Sequence, residues 1–374
     1  MRTSSPSLTE TVLDLVTGTE QVAREHSERL FGRNVTDEQL LALTDSMEGV
    51  RLSRPRILSS REAPEERVTA VAVESERGIR ADLFVAVEDD GTLGGFRVLT
   101  PTPEPTDARS LRSALAVLDP HAAVLVRAEG IDTADTQVKA VASLVKVFVQ
   151  LAVMRAVERG ELHLGHRHVL GAGDISLLSA GLGPRHVGAR ITVAELCRLM
   201  ILRSDNTAMD TLVRLVGREA VAEEMARCGV DPSLNTPLRT MREAAELSWG
   251  PAAGTADPAA HWNSLTHLPR VHHLGLDYYA PLTAVASAME QLAAMSWTPW
   301  PTGAQLPPGA PIGLLYKGGN APGVLAASWT RRSREHTGSL MFAVNTDEPL
   351  GMLEEFYAFT CAESMLTRLG LTRQ

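Results

Sequence analysis

The chain has 374 residues, of which 44% are hydrophobic, 22% are charged and only 4% are aromatic, and its formal net charge is −9. A chain of this length can bury a full core, which we expect to be mainly aliphatic, and it is long enough for two domains. The negative charge argues against a basic phosphate-binding face, so nucleic acid is not expected as a partner.

The first ten residues lack the apolar segment of a secretory signal, and no stretch of the sequence is apolar over the length of a membrane span. We therefore expect a cytoplasmic protein without a membrane partner. The three cysteines, Cys197, Cys228 and Cys361, are odd in number and widely spaced. This pattern is typical of reduced core thiols rather than of disulfides or zinc ligands.

The first hundred residues predict helices followed by an antiparallel sheet. Apolar residues have helical spacing over 8–30, and a capping box at 36–39 predicts a second, shorter helix. Segments rich in β-branched residues follow at 67–74, 79–87 and 96–99, with turn signals between them. This order of elements predicts a small α+β domain.

A proline-rich linker follows this domain. Residues 100–107 contain three alternating prolines, which favour a stiff, extended backbone. We therefore predict one domain at 1–104 and a second at 105–374.

The second domain is predicted to be α+β as well. Its predicted helices cover 109–118, 141–159, 192–202, 208–216, 240–247, 280–295 and 353–369. Its predicted strands cover 122–127, 312–317, 324–330 and 339–344. The segments 160–188 and 250–261 have loop-like composition, and 297–311 is proline-rich.

Three histidines in the first of these loops, His163, His166 and His168, suggest a metal site at first sight. They have neither a His-Glu-x-x-His pattern nor a carboxylate at ligand spacing, so we interpret them as surface histidines. The sequence predicts no metal and no cofactor.

Ser143 and Lys146 lie three residues apart in the first turn of a predicted helix, so both side chains share one face. Only three of the 36 basic residues are lysines, namely Lys139, Lys146 and Lys317. A lysine can lose its proton when it is desolvated, whereas an arginine cannot. The pair therefore has the chemistry of a serine nucleophile and its base, although such a short pattern alone arises often by chance.

Two further motifs follow in a fixed order. Ser204-Asp205-Asn206 lies at a turn between two predicted helices, and Lys317-Gly318-Gly319-Asn320 ends a predicted strand. With Ser143-x-x-Lys146, these resemble the three motifs of the class A β-lactamase and penicillin-binding-protein superfamily. The resemblance covers the chain from about residue 108 to its end, and it implies an antiparallel sheet flanked by terminal helices, plus an all-helical lobe.

The two-domain layout is similar, more narrowly, to the cephalosporin-esterase-like proteins of clavulanic acid clusters, because a small α+β domain and a proline linker precede the motifs. That similarity implies a steroid-isomerase-like first domain. We expect a structural or dimerising role for it, so a homodimer is among the expected partners. A second active site in this domain stays an alternative, although no acid–base pair marks it.

The chemistry of each residue type gives it an expected role. Ser143 is the nucleophile, and Lys146 is the base that takes its proton, with burial and the charge of Lys317 lowering the base's pKa. Ser204 bridges the two lysines and carries the proton to the leaving group. The resemblance adds the backbone N–H of Asn320 as an oxyanion donor beside that of Ser143.

The remaining residues of the motifs are expected to bind substrate or to hold the loop. Asn206 can hold a substrate amide or carbonyl, whereas Asp205 is expected to brace its own turn as a helix N-cap. Gly318 and Gly319 let the strand approach the substrate closely.

Two departures from the family bear on function. Gly318 stands where the family has a threonine, so a hydroxyl that helps to bind a substrate carboxylate is missing. The glutamates between Asn206 and Glu243, namely Glu219, Glu223 and Glu224, lie on one predicted helix and do not form the deacylating Glu-x-x-Leu-Asn segment of class A β-lactamases. We therefore expect an acyl-serine hydrolase, either an esterase or an acyl transferase, with weak or no β-lactamase activity, whose substrate is a small ester or a β-lactam-like natural-product intermediate.

Two alternatives stay open at this point. The first is a protein that β-lactams acylate and that turns them over slowly. The second is a non-catalytic ligand-binding protein that retains the motifs.

Overall fold

The structure is a computed structural model that describes residues 7–31, 35–63, 65–177, 179–250, 272–295, 297, 299–300, 313–332 and 337–371. The chain divides into two compact units. The first unit consists of Met1–Glu104 and Leu350–Glu363, and the second of Pro105–Pro349 and Ser364–Gln374. None of the described helices has the length and hydrophobicity that a membrane span requires.

Two of the predicted loops lie largely outside the described residues. Residues 251–261 of the predicted loop 250–261 and residues 301–311 of the proline-rich stretch 297–311 are not described. The first residue of the strand predicted at 312–317 also lies outside the described residues.

Three helices open the first unit, namely α1 Leu8–Thr17, α2 Arg24–Leu30 and α3 Asp37–Leu52. The prediction of one helix over 8–30 is wrong, because α1 ends at Thr17 and the backbone of the next residue, Gly18, is extended. Glycine is a poor helix former, so the apolar spacing continues but the helix does not. The predicted capping box at the start of α3 is confirmed, since Thr36 accepts a hydrogen bond from the backbone N–H of Gln39.

A four-stranded antiparallel sheet completes this unit, and its strands follow one another in sequence order. They are β1 Arg56–Ala63, β2 Val68–Glu74, β3 Arg80–Val87 and β4 Leu93–Leu99. The last three confirm the predicted strands. The first was not predicted, because most of its side chains are exposed and its sequence does not alternate between apolar and polar residues. The unit is α+β, as expected.

The second unit contains a five-stranded antiparallel sheet in the order β11-β12-β13-β5-β6. Its strands are β5 Ala123–Ala128, β6 Ile131–Asp132, β11 Leu314–Ala321, β12 Val324–Arg332 and β13 Thr337–Asn345. Two short pairs accompany it, β7 Val138–Ala140 with β10 Tyr279–Pro281, and β8 Arg167–Val169 with β9 Arg190–Thr192. Strand β11 is an edge strand, so one side of its backbone is open to other groups.

The helices of the second unit are α4 Ala108–Leu115, α5 Lys146–Glu158, α6 Val193–Leu202, α7 Asn206–Val216, α8 Arg218–Arg227, α9 Met241–Trp249 and α10 Leu282–Ala294. Helix α5 is the centre of the core, since ten of its residues are buried. The predicted helix over 141–159 starts later than expected, because Ala142–Val145 forms a 3-10 turn before α5 begins.

The last helix, α11 Met352–Arg368, starts in the first unit and ends in the second. Within the first unit, the Ser53 hydroxyl donates a 2.6 Å hydrogen bond to the Glu354 carboxylate and accepts one of 3.1 Å from the Leu353 N–H. Both Ser53 and Glu354 are buried. These bonds fix the start of the helix to the residue that follows α3.

The cysteines and the loop histidines lie as follows. The three cysteines are free and buried, which confirms the interpretation as core thiols. His163 and His166 are exposed, whereas His168 lies 2.9 Å from the carboxylate of Asp174.

Candidate active site

Ser143 lies in the 3-10 turn that precedes α5, and its side chain is only slightly exposed. The residue before it, Ala142, has a φ of +45°, a conformation that costs a non-glycine residue energy. The carboxylate of Asp277 accepts the N–H of Ala142 at 3.0 Å and that of Tyr278 at 2.6 Å. This buried carboxylate therefore holds the turn that presents Ser143.

Lys146 is the first residue of α5, and its side chain is completely buried. Its amine lies 3.0 Å from the Ser143 Oγ and 2.6 Å from the Asn206 Oδ1. It also lies 2.5 Å from the carbonyl oxygen and 3.0 Å from the Oγ of Ser204. Four neighbouring oxygens exceed the three hydrogens of an ammonium group. A neutral amine can instead donate to the carbonyl and the amide and accept a proton from a serine hydroxyl.

The surroundings favour that neutral form. Burial lowers the pKa of Lys146 to about 7, although the negative charges of Asp205 and Asp210 act in the opposite direction. The pKa of Lys317 is also well below its usual value, first because of burial and then because of repulsion from Lys146. The sequence predicted that both burial and the charge of Lys317 would act on Lys146, but burial is the cause that lowers its pKa.

The turn that carries Ser204 is fixed by its neighbour Asp205. That carboxylate accepts the N–H of Ala208 at 2.7 Å, which caps α7, and the N–H groups of Gly181 and Leu182 at 2.7 and 2.8 Å. The expectation that Asp205 braces its own turn is thereby confirmed. Ser204 has a φ of +55°, so the turn is strained where its side chain enters the site.

Asn206, the first residue of α7, is buried and points toward the base. Its Oδ1 accepts from Lys146, and its Nδ2 donates to the carbonyl of Leu177 at 2.9 Å. The second contact fixes which end of the amide faces the amine.

Strand β11 brings the second amine. The Lys317 Nζ donates to the Ser204 Oγ at 3.0 Å and to the carbonyl oxygen of Gly318 at 2.6 Å. The Ser204 hydroxyl therefore lies 3.0 Å from both amines. A proton can pass between the two lysines through this one hydroxyl.

Gly319 touches the turn of Ser143 so closely that no side chain would fit. A Cβ at this position would lie 2.3 Å from the Val141 carbonyl oxygen and 3.2 Å from the Ser143 nitrogen. Gly319 therefore places the strand edge directly against the backbone of the nucleophile.

The same edge directs the next N–H group. The carbonyl oxygens of Tyr316 and Gly318 point away from β12, since they accept from the Trp300 indole at 2.7 Å and from Lys317. In an antiparallel strand, alternate residues point their N–H and C=O groups to the same side. The N–H of Asn320 therefore points to the same open side, where the Ser143 backbone lies.

The structure thus brings Ser143, Lys146, Ser204, Asn206 and Lys317 into one hydrogen-bonded cluster. Gly318 borders the cluster through its carbonyl group, and Gly319 and Asn320 follow along the strand edge. The sequence did not predict a role for Asp277, because a single aspartate in a loop carries no pattern that reveals its partner.

The glutamates that follow Asn206 lie elsewhere. Glu219, Glu223 and Glu224 are on α8, and Glu243 bonds to Arg218 while it caps α9. Among the described residues, no glutamate forms a hydrogen bond with Ser143 or Lys146.

Comparison with known proteins finds a family match over part of the chain. Residues 121–270 match the profile of the beta-lactamase enzyme family. This match confirms the predicted resemblance to the serine β-lactamase and penicillin-binding-protein superfamily. The matched segment contains the Ser143–Lys146 pair and the turn 204–206, whereas Lys317 lies beyond it. A serine hydrolase of this superfamily is therefore supported.

Several solved structures are similar to the chain. One is a beta-lactamase from Sphaerobacter thermophilus, with 23% identity, 71% of this chain and 99% of that chain covered, and a TM-score of 0.49. An ancestral class A beta-lactamase termed GNCA has 23% identity, coverage of 70% and 98%, and a TM-score of 0.45. PBP-A has 17% identity, coverage of 73% and 100%, and a TM-score of 0.44. The comparison with curated protein sequences found no match.

Proposed function

We propose that the protein is an acyl-serine hydrolase or esterase that acts on a small ester or a β-lactam-type natural-product intermediate. The observation that carries this proposal is the buried chain of contacts from Ser143 through Lys146 and Ser204 to Lys317. The depressed pKa of Lys146 leaves a substantial neutral fraction at physiological pH, as a general base requires.

In the proposed acylation step, the Ser143 Oγ attacks the carbonyl carbon and its proton passes to the neutral Lys146 amine. The carbonyl oxygen becomes negative and is stabilised by the backbone N–H groups of Ser143 and Asn320. The proton then moves through the Ser204 hydroxyl to the leaving group as the tetrahedral intermediate collapses. Lys317, on the other side of this hydroxyl, favours the transfer because its amine donates a hydrogen bond to the Ser204 Oγ.

Asn206 has two candidate tasks within this mechanism. The sequence suggests that it holds a substrate amide or carbonyl. Its bonds to Lys146 and to the Leu177 carbonyl support a further role, in which it orients the amine of the base.

Release of the acyl group is the step that separates the two enzyme hypotheses. Because no described glutamate bonds to Ser143 or Lys146, a slowly turning-over, β-lactam-acylated protein is the second candidate. A non-catalytic ligand-binding protein is the alternative outside enzymes.

A time course of intact mass separates these candidates. The protein is mixed with penicillin or with an activated acetyl ester, and the acyl adduct is followed by mass spectrometry. An esterase gains and loses an acetyl adduct, whereas a slow acyl-protein keeps the penicilloyl adduct for hours. Ser143→Ala is expected to abolish both adducts, and Ser113→Ala, an exposed serine on α4, is the control. A folded wild-type protein that forms no adduct would leave only the ligand-binding alternative.

For the first unit, a structural or dimerising role is the proposal. Its helices and four-stranded antiparallel sheet are compatible with a steroid-isomerase-like fold. Sedimentation at several protein concentrations tests the homodimer, because a monomer at every concentration would exclude it.

A further inference from the structure

The open edge of β11 presents backbone groups to the site at three alternate positions, Asn320, Gly318 and Tyr316. An extended ligand can add to such an edge as a further strand, and its affinity then comes from backbone hydrogen bonds. Neighbouring positions on one side of a strand lie about 7 Å apart, since each residue advances the strand by about 3.4 Å. How far a ligand can extend depends on what lies at each position.

The Tyr316 end of this edge is occupied by the indole of Trp300. The indole N–H donates a 2.7 Å hydrogen bond to the Tyr316 carbonyl oxygen. Trp300 is partly buried, because its ring packs against the hydrophobic core of the second unit. A ligand strand would use the same carbonyl as an acceptor and the same space for its backbone, so the indole competes with it.

The middle position lies beside the groups that handle the leaving group. The Lys317 amine is 2.6 Å from the Gly318 carbonyl oxygen and 3.0 Å from the Ser204 Oγ. In the proposed acylation step this hydroxyl passes the proton to the leaving group. The reacting carbonyl is proposed to lie at the third position, where the N–H of Asn320 is an oxyanion donor.

This order of groups gives the leaving group a direction along the strand. It begins at the reacting carbonyl near Asn320, passes the Ser204 hydroxyl beside Gly318, and continues toward Tyr316. The whole path spans four residues of the strand, or about 13 Å. An extended leaving group of more than about three residues would therefore reach the indole of Trp300.

We infer that Trp300 is a specificity-determining residue, whose indole closes the leaving-group end of the β11 edge and restricts the substrate to short leaving groups, such as a small alcohol, thiol or amine. The inference rests on the proposed function, since it concerns the substrate of the same site. It distinguishes a small ester or thioester from an extended peptide ligand.

The test compares two uncharged S-acetyl thioesters that differ only in the length of the leaving group. The short reagent carries N-acetylcysteine methylamide, and the long reagent carries the same N-acetylated cysteine followed by four alanines and a methylamide. In both, the Ser143 Oγ bonds to the acetyl carbon, the carbon–sulfur bond breaks, and the thiol leaves with the proton that Ser143 gave up. The rate of thiol release is measured with a thiol-reactive dye.

The wild-type protein is expected to favour the short thioester. In Trp300→Ala, the ratio of the short rate to the long rate is expected to fall about tenfold, because the long leaving group gains space and a backbone hydrogen bond at the Tyr316 carbonyl. The ratio is not affected by a uniform loss of folded protein. Phe356→Ala, which removes an exposed ring of the first unit, is the control and is expected to keep the wild-type ratio.

A second variant keeps the test valid if Trp300→Ala does not fold. Trp300→Phe retains a ring to pack against the core but lacks the N–H that bonds to the Tyr316 carbonyl. Its ratio is expected to fall about threefold, as the loss of one weak competing hydrogen bond predicts. An unchanged ratio in the folded Trp300→Phe variant would overturn the role of Trp300.

The possible failures are distinguishable. If folded wild-type protein releases thiol from both reagents no faster than Ser143→Ala does, the proposed function is wrong. If Ser143 is acylated by both reagents at equal rates, or if Trp300→Ala leaves the ratio unchanged, the proposed function stands and the role of Trp300 is overturned.

Discussion

Lys146 is the residue on which the proposed chemistry depends. The sequence already distinguishes it, because lysine is rare in this chain and arginine cannot act as a base. The structure adds what the sequence lacks, namely complete burial and four oxygen neighbours from three residues.

A pH profile tests its state. We expect the rate of Ser143 labelling by a fluorophosphonate to rise with pH and to level off above about 7, because only the neutral amine accepts the serine proton. Labelling of Lys146→Arg should be nearly absent at every pH from 5 to 9, because an arginine does not lose its proton. A wild-type rate that stays constant from pH 5 to 9 would contradict the role of Lys146 as the base.

Asp277 is expected to make the stability of the protein depend on pH. Burial raises the pKa of its carboxyl to about 6, although the N–H groups of Tyr278 and Ala142 lower it in part. The folded state therefore binds this proton more tightly than the unfolded state, and stability falls as pH rises from about 4 to about 6.

Asp277→Asn keeps an acceptor for Ala142 and removes the charge. Relative to wild type, its free energy of unfolding should improve by up to about 3 kcal/mol between pH 4 and pH 7. Urea denaturation at several pH values measures this. If the free energy of unfolding changes with pH in the same way for the two proteins, Asp277 is not the titrating group.

At the scale of elements, the edge of β11 and the turn of Ser143 must meet without a side chain between them. Gly319→Ala is expected to lose most Ser143 labelling and to destabilise the fold by about 1–3 kcal/mol, because its Cβ would overlap the Val141 carbonyl. The control is Gly173→Ala, since a Cβ there meets nothing within 4 Å. Equal labelling of both variants would argue against this close approach.

The turn between α6 and α7 depends on Asp205 in a similar way. Asp205→Ala leaves three backbone N–H groups without their acceptor, so we expect a loss of about 2–4 kcal/mol in stability. Thermal unfolding followed by circular dichroism measures this loss. A change below 0.5 kcal/mol, about the size of an ordinary surface effect, would show that water replaces the carboxylate without cost.

Helices and strands were predictable from the sequence where a capping residue or a run of β-branched residues marks them. Strands β2, β3 and β5 have buried, β-branched residues, and α3, α6 and α9 start at capping residues, so each was found. Strand β1 has neither signal and was missed. The 3-10 turn before α5 was also missed, because the apolar run through 141–159 is compatible with a helix from its first residue.

The cluster itself was predictable only as a set of motifs. Their order indicates that Ser143, Ser204 and Lys317 belong together, since three short patterns rarely coincide. Contacts that depend on the folded backbone, such as Asp277 with Ala142 or the Trp300 indole with the Tyr316 carbonyl, have no sequence signature.

On the scale of the whole molecule, the two compact units are not two consecutive stretches of chain. Residues Leu350–Glu363 belong to the first unit, where Ser53 binds Glu354 and the N–H of Leu353. A fragment 105–374 would lose these partners and expose Leu353, which is fully buried.

We therefore expect this fragment to be cut by protease within 350–363 faster than the full chain. Ser53→Ala in the full chain should give a smaller increase at the same place, because it removes only the hydroxyl contacts. Limited proteolysis with peptide mapping measures both. Equal protection of 350–363 in the fragment and the full chain would contradict this assignment.

Covalent labelling tests whether Ser143 is an activated nucleophile. The full-length protein is treated with a fluorophosphonate at pH 8, and the adduct is measured by intact mass and located by peptide mapping. We expect one adduct, on Ser143, that is absent in Ser143→Ala and strongly reduced in Lys146→Met. A folded wild-type protein without an adduct, or an adduct that persists in Ser143→Ala, would contradict it.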